Sequence, residues 1–226
     1  LQLFMLSMAG GDSFQFTSVP RGAGAPVWSP DGKWIAFGNG ANGEELAKMN
    51  KQPAPKPAVP AANDGHESDV RVITRAVYRS NGAGYVDFNH PNHLWTIAAP
   101  RTPEDKVTPT QLTSGDFAEG DFVWAKDGSQ IYFTSRHIVE QYYELPQTEL
   151  YSTPTSGGVP NKITTIDLGV GGLALSPNGK QFAFAASTNQ PVRSYSQPDL
   201  WVLEIAQNAQ PKTLTHSFDV EGSSRL

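Results

Sequence analysis

Trp28-Ser29-Pro30-Asp31-Gly32-Lys33-Trp34-Ile35-Ala36-Phe37 is a tight-turn signal held between two apolar runs. It returns as WAKDGSQIYF from Trp124, about a hundred residues later, and as LSPNGKQFAF from Leu175, about fifty residues after that. A turn motif recurring at a fixed offset marks a structural repeat, in which each copy contributes the same small unit.

Aligning what precedes each copy gives the rest of the unit. An apolar strand comes first: Leu3-Phe4-Met5-Leu6, His93-Leu94-Trp95-Thr96-Ile97, Glu149-Leu150-Tyr151-Ser152 and Asp199-Leu200-Trp201-Val202-Leu203. A short strand ending in a hydroxyl residue follows, as Phe16-Thr17, Leu112-Thr113, Ile163-Thr164 and Leu214-Thr215. The turn motif then follows the first three of these, and the chain runs through Thr215-His216-Ser217-Phe218-Asp219 where a fourth would be due.

Pro30 presets φ for the first corner of a type I turn, Asp31 can bond back to the backbone, and Gly32 supplies the positive φ that returns the chain as a hairpin. Lys126 replaces the proline in the second copy, but Gly128 and Gly179 keep the glycine place. After the glycine, Ile35 and Phe37, Ile131 and Phe133, and Phe182 and Phe184 share one strand face, while Ala36, Tyr132 and Ala183 make the other face apolar too. Strands covered on both faces usually belong to parallel sheets under helices, yet here the connections are hairpins and no long helical periodicity appears. Small antiparallel four-stranded sheets stacked radially satisfy both facts. The expected fold is therefore all-β: a partial β-propeller of about three and a half to four blades, with a period near fifty residues. A β-sandwich is the rival, but it needs no repeated turn at a fixed offset.

Composition agrees with that reading and narrows the function. The chain has 226 residues, 21 Gly, 18 Pro and 10% aromatics, which favours many turns and a packed core. A net charge of -5 without runs of like charge gives no footprint for nucleic acid or an anionic membrane, and no segment is apolar for long enough to span one. The absence of cysteine removes disulfides, a thiolate nucleophile and Cys-containing zinc sites. LQLFMLSMAGG lacks a basic region before its apolar residues and reads as a strand; without an initiator Met, and with an end that closes no pattern, the chain is expected to be a piece of a longer polypeptide.

The double-length first interval marks an insert in one blade, at about residues 38–92. It contains the Pro/Ala-rich stretch Lys51 to Pro60, a β-like run from Val70 to Arg75, and Glu44 to Asn50, which is compatible with two helical turns. His90-Pro91-Asn92-His93 beside Asp87 reads as the start of a strand rather than a metal site, and His66-Glu67 lacks the second His of a zincin. Gly22-Ala23-Gly24 and Gly82-Ala83-Gly84 are turns, since neither opens a helix that would cradle phosphate. No cofactor or metal is expected. Trp28, Trp34, Trp95, Trp124 and Trp201 sit on repeat positions and read as blade packing.

With these marks in place, the sequence resembles the propeller domain of the prolyl oligopeptidase family of serine peptidases, in the branch of acylaminoacyl peptidases and bacterial dipeptidyl peptidases. The turn motifs alone are also found in TolB-like and other propellers. The more specific phrases are Asp69 to Arg75 with Tyr78-Arg79-Ser80-Asn81-Gly82-Ala83-Gly84-Tyr85, and Thr134-Ser135-Arg136-His137-Ile138-Val139-Glu140-Gln141-Tyr142-Tyr143-Glu144-Leu145-Pro146. The resemblance implies a propeller of about seven or eight blades capping a C-terminal α/β-hydrolase domain that carries a Ser-Asp-His triad. No G-x-S-x-G elbow occurs here, so the catalytic residues are expected outside this chain. The implied role is a gate that admits short peptides and helps hold their N-terminus, in a bacterial periplasmic or secreted protein, with the hydrolase domain of the same protein as its partner. The alternative is a free-standing TolB-like propeller that binds a protein.

The charge and aromatic content of Arg136 to Leu145 exceed what a blade connection requires. Related dipeptidyl peptidases take from their propellers a carboxylate that pairs with the substrate α-ammonium group. By that resemblance Glu140 and Glu144 are the candidate anchors, ranked equally, with Tyr142 and Tyr143 to wall the pocket. An unclosed propeller also leaves bare strand edges, so such a piece is expected to pair with a second copy, aggregate or stay bound to the rest of its protein.

Overall fold

The computed structural model describes residues 1–51, 70, 72–82, 84–140, 142–145, 147–187 and 197–216. Two short strands, β1 (Phe4–Met5) and β2 (Phe14–Gln15), pair with each other. The first full blade follows as β3 (Gly24–Trp28) and β4 (Trp34–Asn39), the helix α1 (Gly43–Met49), a small hairpin of β5 (Arg79–Ser80) and β6 (Gly84–Tyr85), then β7 (His93–Ala98) and β8 (Thr110–Gln111). The second is β9 (Glu119–Trp124), β10 (Gln130–Ser135), β11 (Thr148–Pro154) and β12 (Asn161–Ile166). The third is β13 (Gly169–Leu175), β14 (Gln181–Ser187), β15 (Asp199–Glu204) and β16 (Lys212–Thr213). Each of the three is a four-stranded antiparallel sheet in sequence order, with only the insert interrupting the first. β1 and β2 carry the two sequence marks of a third and fourth strand, so they form the outer half of a preceding blade.

The turn motif does the same work in every blade. Gly32, Gly128 and Gly179 have φ of 68°, 73° and 73°, the left-handed region that any Cβ disfavours. Their N–H groups donate to the carbonyls of Ser29, Ala125 and Ser176, closing an i to i+3 turn each time. Asp31 accepts from Ser29 Oγ and Lys33 N, and these bonds hold its carboxyl below the usual aspartate range; Asp127 and Asn178 bond their turns in the same way.

The hydroxyl residue that closes each repeat has an equally local cause. Thr17, Thr113 and Thr215 accept the N–H of Leu3, Leu94 and Leu200 at 2.8, 2.9 and 2.9 Å. The carbonyls of those leucines accept from Phe16, Leu112 and Leu214, so each short outer strand is locked to its neighbour by a reciprocal pair. In the second blade β12 is longer and Thr164 sits opposite Leu150 in the ladder instead. Thr113→Val is expected to destabilise the protein by about 1–3 kcal/mol, because it strands the buried Leu94 N–H, whereas Thr113→Ser retains most of the stability. Urea denaturation of the two variants checks this, and equal midpoints for Val and wild type would remove the hydroxyl's role.

The doubly apolar strands pack one blade on the next. Ile35, Phe37, Trp95 and Ile97 meet Leu3, Val19 and Ala23 of the outer half-blade. Ala36 and Leu94, on the opposite face of the same sheet, meet Phe122, Trp124, Ile131 and Phe133 of the second blade. Tyr132 and Leu150 then point the other way, against Val170, Phe182, Phe184 and Leu203 of the third. Each such side chain contributes about 1.5–3 kcal/mol on burial, and the alternation of period two sends these contributions to two interfaces in turn.

Some expectations are corrected. The run from Val70 to Arg75 forms no strand in its described residues; the insert's hairpin begins at Arg79, where Asn81-Gly82 supplies the turn. Trp95 and Trp124 are buried, but Trp28 and Trp34 are 51% and 44% exposed, so the repeat position does not by itself bury an indole. Glu44 to Met49 does form helix, and Asn50 is its C-cap: Asn42 caps the other end of α1, accepting from Glu45 N while its own N–H donates to the Glu45 carboxylate. The Pro/Ala-rich stretch beyond Lys51 and His66-Glu67 lie outside the described residues.

Candidate functional site

Antiparallel order sorts the connections. Hairpins joining first to second strands emerge at one end of every blade, and connections from second to third strands, together with crossovers between blades, emerge at the other. At the hairpin end the turns of the first two blades border a cleft of about 400 Å³ lined by Ser29, Asp31, Trp34, Trp124, Asp127 and Thr155. At the opposite end the long insert of the first blade, the 136–147 loop of the second and the crossover between them come together around a cleft of about 510 Å³. Arg75, Asp87 and His90 come to it from the insert, Asp116, Glu119 and Asp121 from the crossover and β9, and Arg136 from the end of β10.

Most of these charges are tied to structure. His93 Nδ1 lies 2.9 Å from Glu119 Oε2, and both residues are buried; the pair fastens the start of β7 to the start of β9. Glu119 N donates to Asn92 O at the same junction. Asp121 Oδ2 accepts from Gly172 N at 2.9 Å and Arg136 donates to Val170 O at 3.2 Å, which fastens the second blade to the third. Asp87 accepts from Arg21 and lies 2.8 Å from His90 Nδ1, and the His90 bond is the main reason its carboxyl lies below the usual aspartate range. His90 Nε2 meets Asn42 Nδ2 at 3.0 Å, so this network ties the helix to the insert. His90 and His93 thus have separate partners, and among the described residues no group of three or more His, Asp or Glu could hold a metal ion.

The four residues singled out in the 136–147 loop do not line the cleft. Glu140 accepts from Ala76 N at 3.1 Å and Tyr142 N at 3.4 Å, so its carboxylate joins the loop of the second blade to the insert of the first. Tyr142 and Tyr143 are 69% and 79% exposed and stack edge to face with centroids 5.0 Å apart. Glu144 is exposed and has no hydrogen-bond or ion-pair partner among the described residues. At the root of the same loop, Glu149 gathers His137, Tyr151 and Lys162. Burial works against its charge, but Lys162 and Tyr151 outweigh it and hold the carboxyl below the usual glutamate range; burial and then that carboxylate push the Tyr151 hydroxyl up.

Sequence reasoning missed the cleft itself. Glu119 and Asp121 of β9 and Arg136 after β10 come together in one hairpin, where Ser135 pairs with Glu119, but Arg75, Asp87 and His90 reach the same cleft only through the path of the insert.

The comparisons with known proteins follow this architecture. Solved structures of TolB from Agrobacterium tumefaciens and from Acinetobacter baumannii superpose with TM-scores of 0.50 and 0.51, at 16% and 15% identity. The fold is that of a β-propeller. The matches cover 91% and 98% of this chain but 50% and 39% of those proteins, so the chain spans half or less of their length. A puromycin-hydrolyzing peptidase from Mycobacterium tuberculosis also matches, with a TM-score of 0.37 and 18% identity over 90% of this chain and 33% of that one. No protein-family description and no curated protein matches the sequence.

Proposed function

We propose that this chain is the propeller portion of a serine exopeptidase of dipeptidyl or acylaminoacyl type, which gates access to a hydrolase domain of the same protein and helps hold the peptide N-terminus. The observation that carries this reading is the division of labour between the two blade ends. Tight turns join the first and second strands at one end, while the elaborated connections of consecutive blades meet at the other around a cleft that is larger than the one between the turns and bears charges of both signs. The sequence phrases that resemble the peptidase branch are Asp69 to Arg75 with Tyr78 to Tyr85, and Thr134 to Pro146, and their described residues fall at that elaborated end.

The two candidate anchors are no longer equivalent. Glu140 is committed to two backbone N–H groups, whereas Glu144 keeps its full accepting capacity for an incoming ammonium group. In the full-length protein, Glu144→Gln is expected to lower kcat/KM for free-amine dipeptidyl reporters by about 1.5–3 kcal/mol, the range of a charge-assisted hydrogen bond, and to spare N-acetylated ones. Glu140→Gln is expected to change both substrates alike. Unchanged preference in both variants sinks the anchor. The second reading, a TolB-like module that binds a protein, is favoured by the two TolB superpositions on fold alone. A full-length protein that hydrolyses neither reporter would select it.

A further inference from the structure

Among the charges around the cleft, Arg75, Arg136, Asp116 and Asp121 have no oppositely charged partner among the described residues, and Asp121 is held by a backbone N–H alone. Asp87, Glu119 and Asp121 are engaged by Arg21 and His90, by His93 and by the Gly172 N–H. Arg75 has no carboxylate partner among the described residues; its guanidinium lies 4.0 Å over the Phe88 ring. Stacking of that kind fixes the plane of the group and leaves its in-plane donors free. Arg136 has no ion pair among the described residues either, and its bond to Val170 O uses one of five N–H groups. Asp116, on the crossover wall of the same cleft, has no hydrogen-bond or ion-pair partner among the described residues. The rest of the lining mixes apolar Val86, Phe117 and Ile138 with polar Asn92, Thr134 and Ser135.

We infer that this cleft binds a short zwitterionic peptide, its terminal carboxylate held by Arg75 and Arg136 and its ammonium group facing Asp116. Two guanidinium groups with free forks match the paired oxygens of a carboxylate, and one of them is oriented before the ligand arrives. The apolar part of the lining suits one side chain of moderate size, and the volume is within the range of small-ligand clefts. A site for free amines alone would not need the arginines. One for anions alone would not carry an unpaired aspartate on its wall. The inference rests on the function proposed above only in that a peptide is bound, and not on catalysis; Glu144 lies outside this cleft, so Asp116 is a second and separate seat for an ammonium group.

The test is calorimetric titration of the full-length protein with alanyl-phenylalanine, its C-terminal amide and its N-acetyl derivative. The free dipeptide is expected to bind about tenfold or more tightly than either blocked form, as loss of a charge-assisted pair requires. Arg75→Gln, which breaks no backbone bond, should weaken the dipeptide about tenfold and leave the amide unchanged; Asp116→Asn should do the same with respect to the N-acetyl derivative. Arg136→Gln is read beside its melting temperature, since it also frees Val170 O. Equal binding of acid and amide, no binding of the dipeptide, or no effect of Arg75→Gln would overturn the inference. Binding as expected without hydrolysis of any reporter leaves it standing and removes the peptidase reading. Hydrolysis with equal binding of acid and amide does the reverse.

Discussion

Replacing His93 by leucine is expected to destabilise the protein by about 3–5 kcal/mol, because it leaves the Glu119 carboxylate buried without its partner. The side chains of both are more than nine-tenths buried, the ring nitrogen and carboxylate oxygen are 2.9 Å apart, and the pair sits where the first blade hands the chain to the second. Their coupling is read by a double-mutant cycle in urea. His93→Leu and Glu119→Leu should each be costly, and the double variant less costly than His93→Leu alone. Additive effects would mean that the two groups are solvated separately through the cleft. A cost below about 1 kcal/mol for His93→Leu would place the pair among exposed ion pairs, contrary to its burial.

The blades were legible because their determinants are local. Pro30, Asp31 and Gly32 act within one turn, and the residues that bury on each strand alternate along a few positions, so a single copy suffices to read them. The outer strands were legible through Thr17, Thr113 and Thr215, although the sequence gives no sign that these hydroxyls accept from the leucines of the neighbouring strand. The cleft was not legible for the opposite reason. Asp116 and Arg136 reach one cleft through the β9–β10 pairing and Arg75 through the path of the insert, and neither is encoded in local spacing. Tyr142, Tyr143, Glu140 and Glu144 drew notice because their loop is rich in charged and aromatic residues. Composition locates such a loop but does not orient its side chains, and Glu140 turns to the backbone of a different blade. Trp28 and Trp34 mislead in the same way: their positions repeat, yet what covers an indole is the neighbouring sheet, not the repeat.

Phe182→Ala is expected to cost about 3–5 kcal/mol and to loosen the third blade selectively. The side chain is fully buried and belongs to the core shared by the second and third blades. Its ring meets Tyr132 edge to face, with centroids 5.0 Å apart, so truncation removes both burial and a favourable aromatic contact. The surrounding sheets are held by their own ladders and by the Asp121–Gly172 and Arg136–Val170 bonds, which limits how far the cavity can collapse. Phe182→Leu fills much of the space and should cost less than half as much. Hydrogen exchange distinguishes a local from a global effect: protection should fall first in β13 to β15, while β4 and β7 of the first blade keep theirs. A uniform loss across all three blades would mean that the sheets unfold as one unit. Retained protection with a cost under about 1 kcal/mol would mean that Tyr132 swings into the vacated space and repairs the interface.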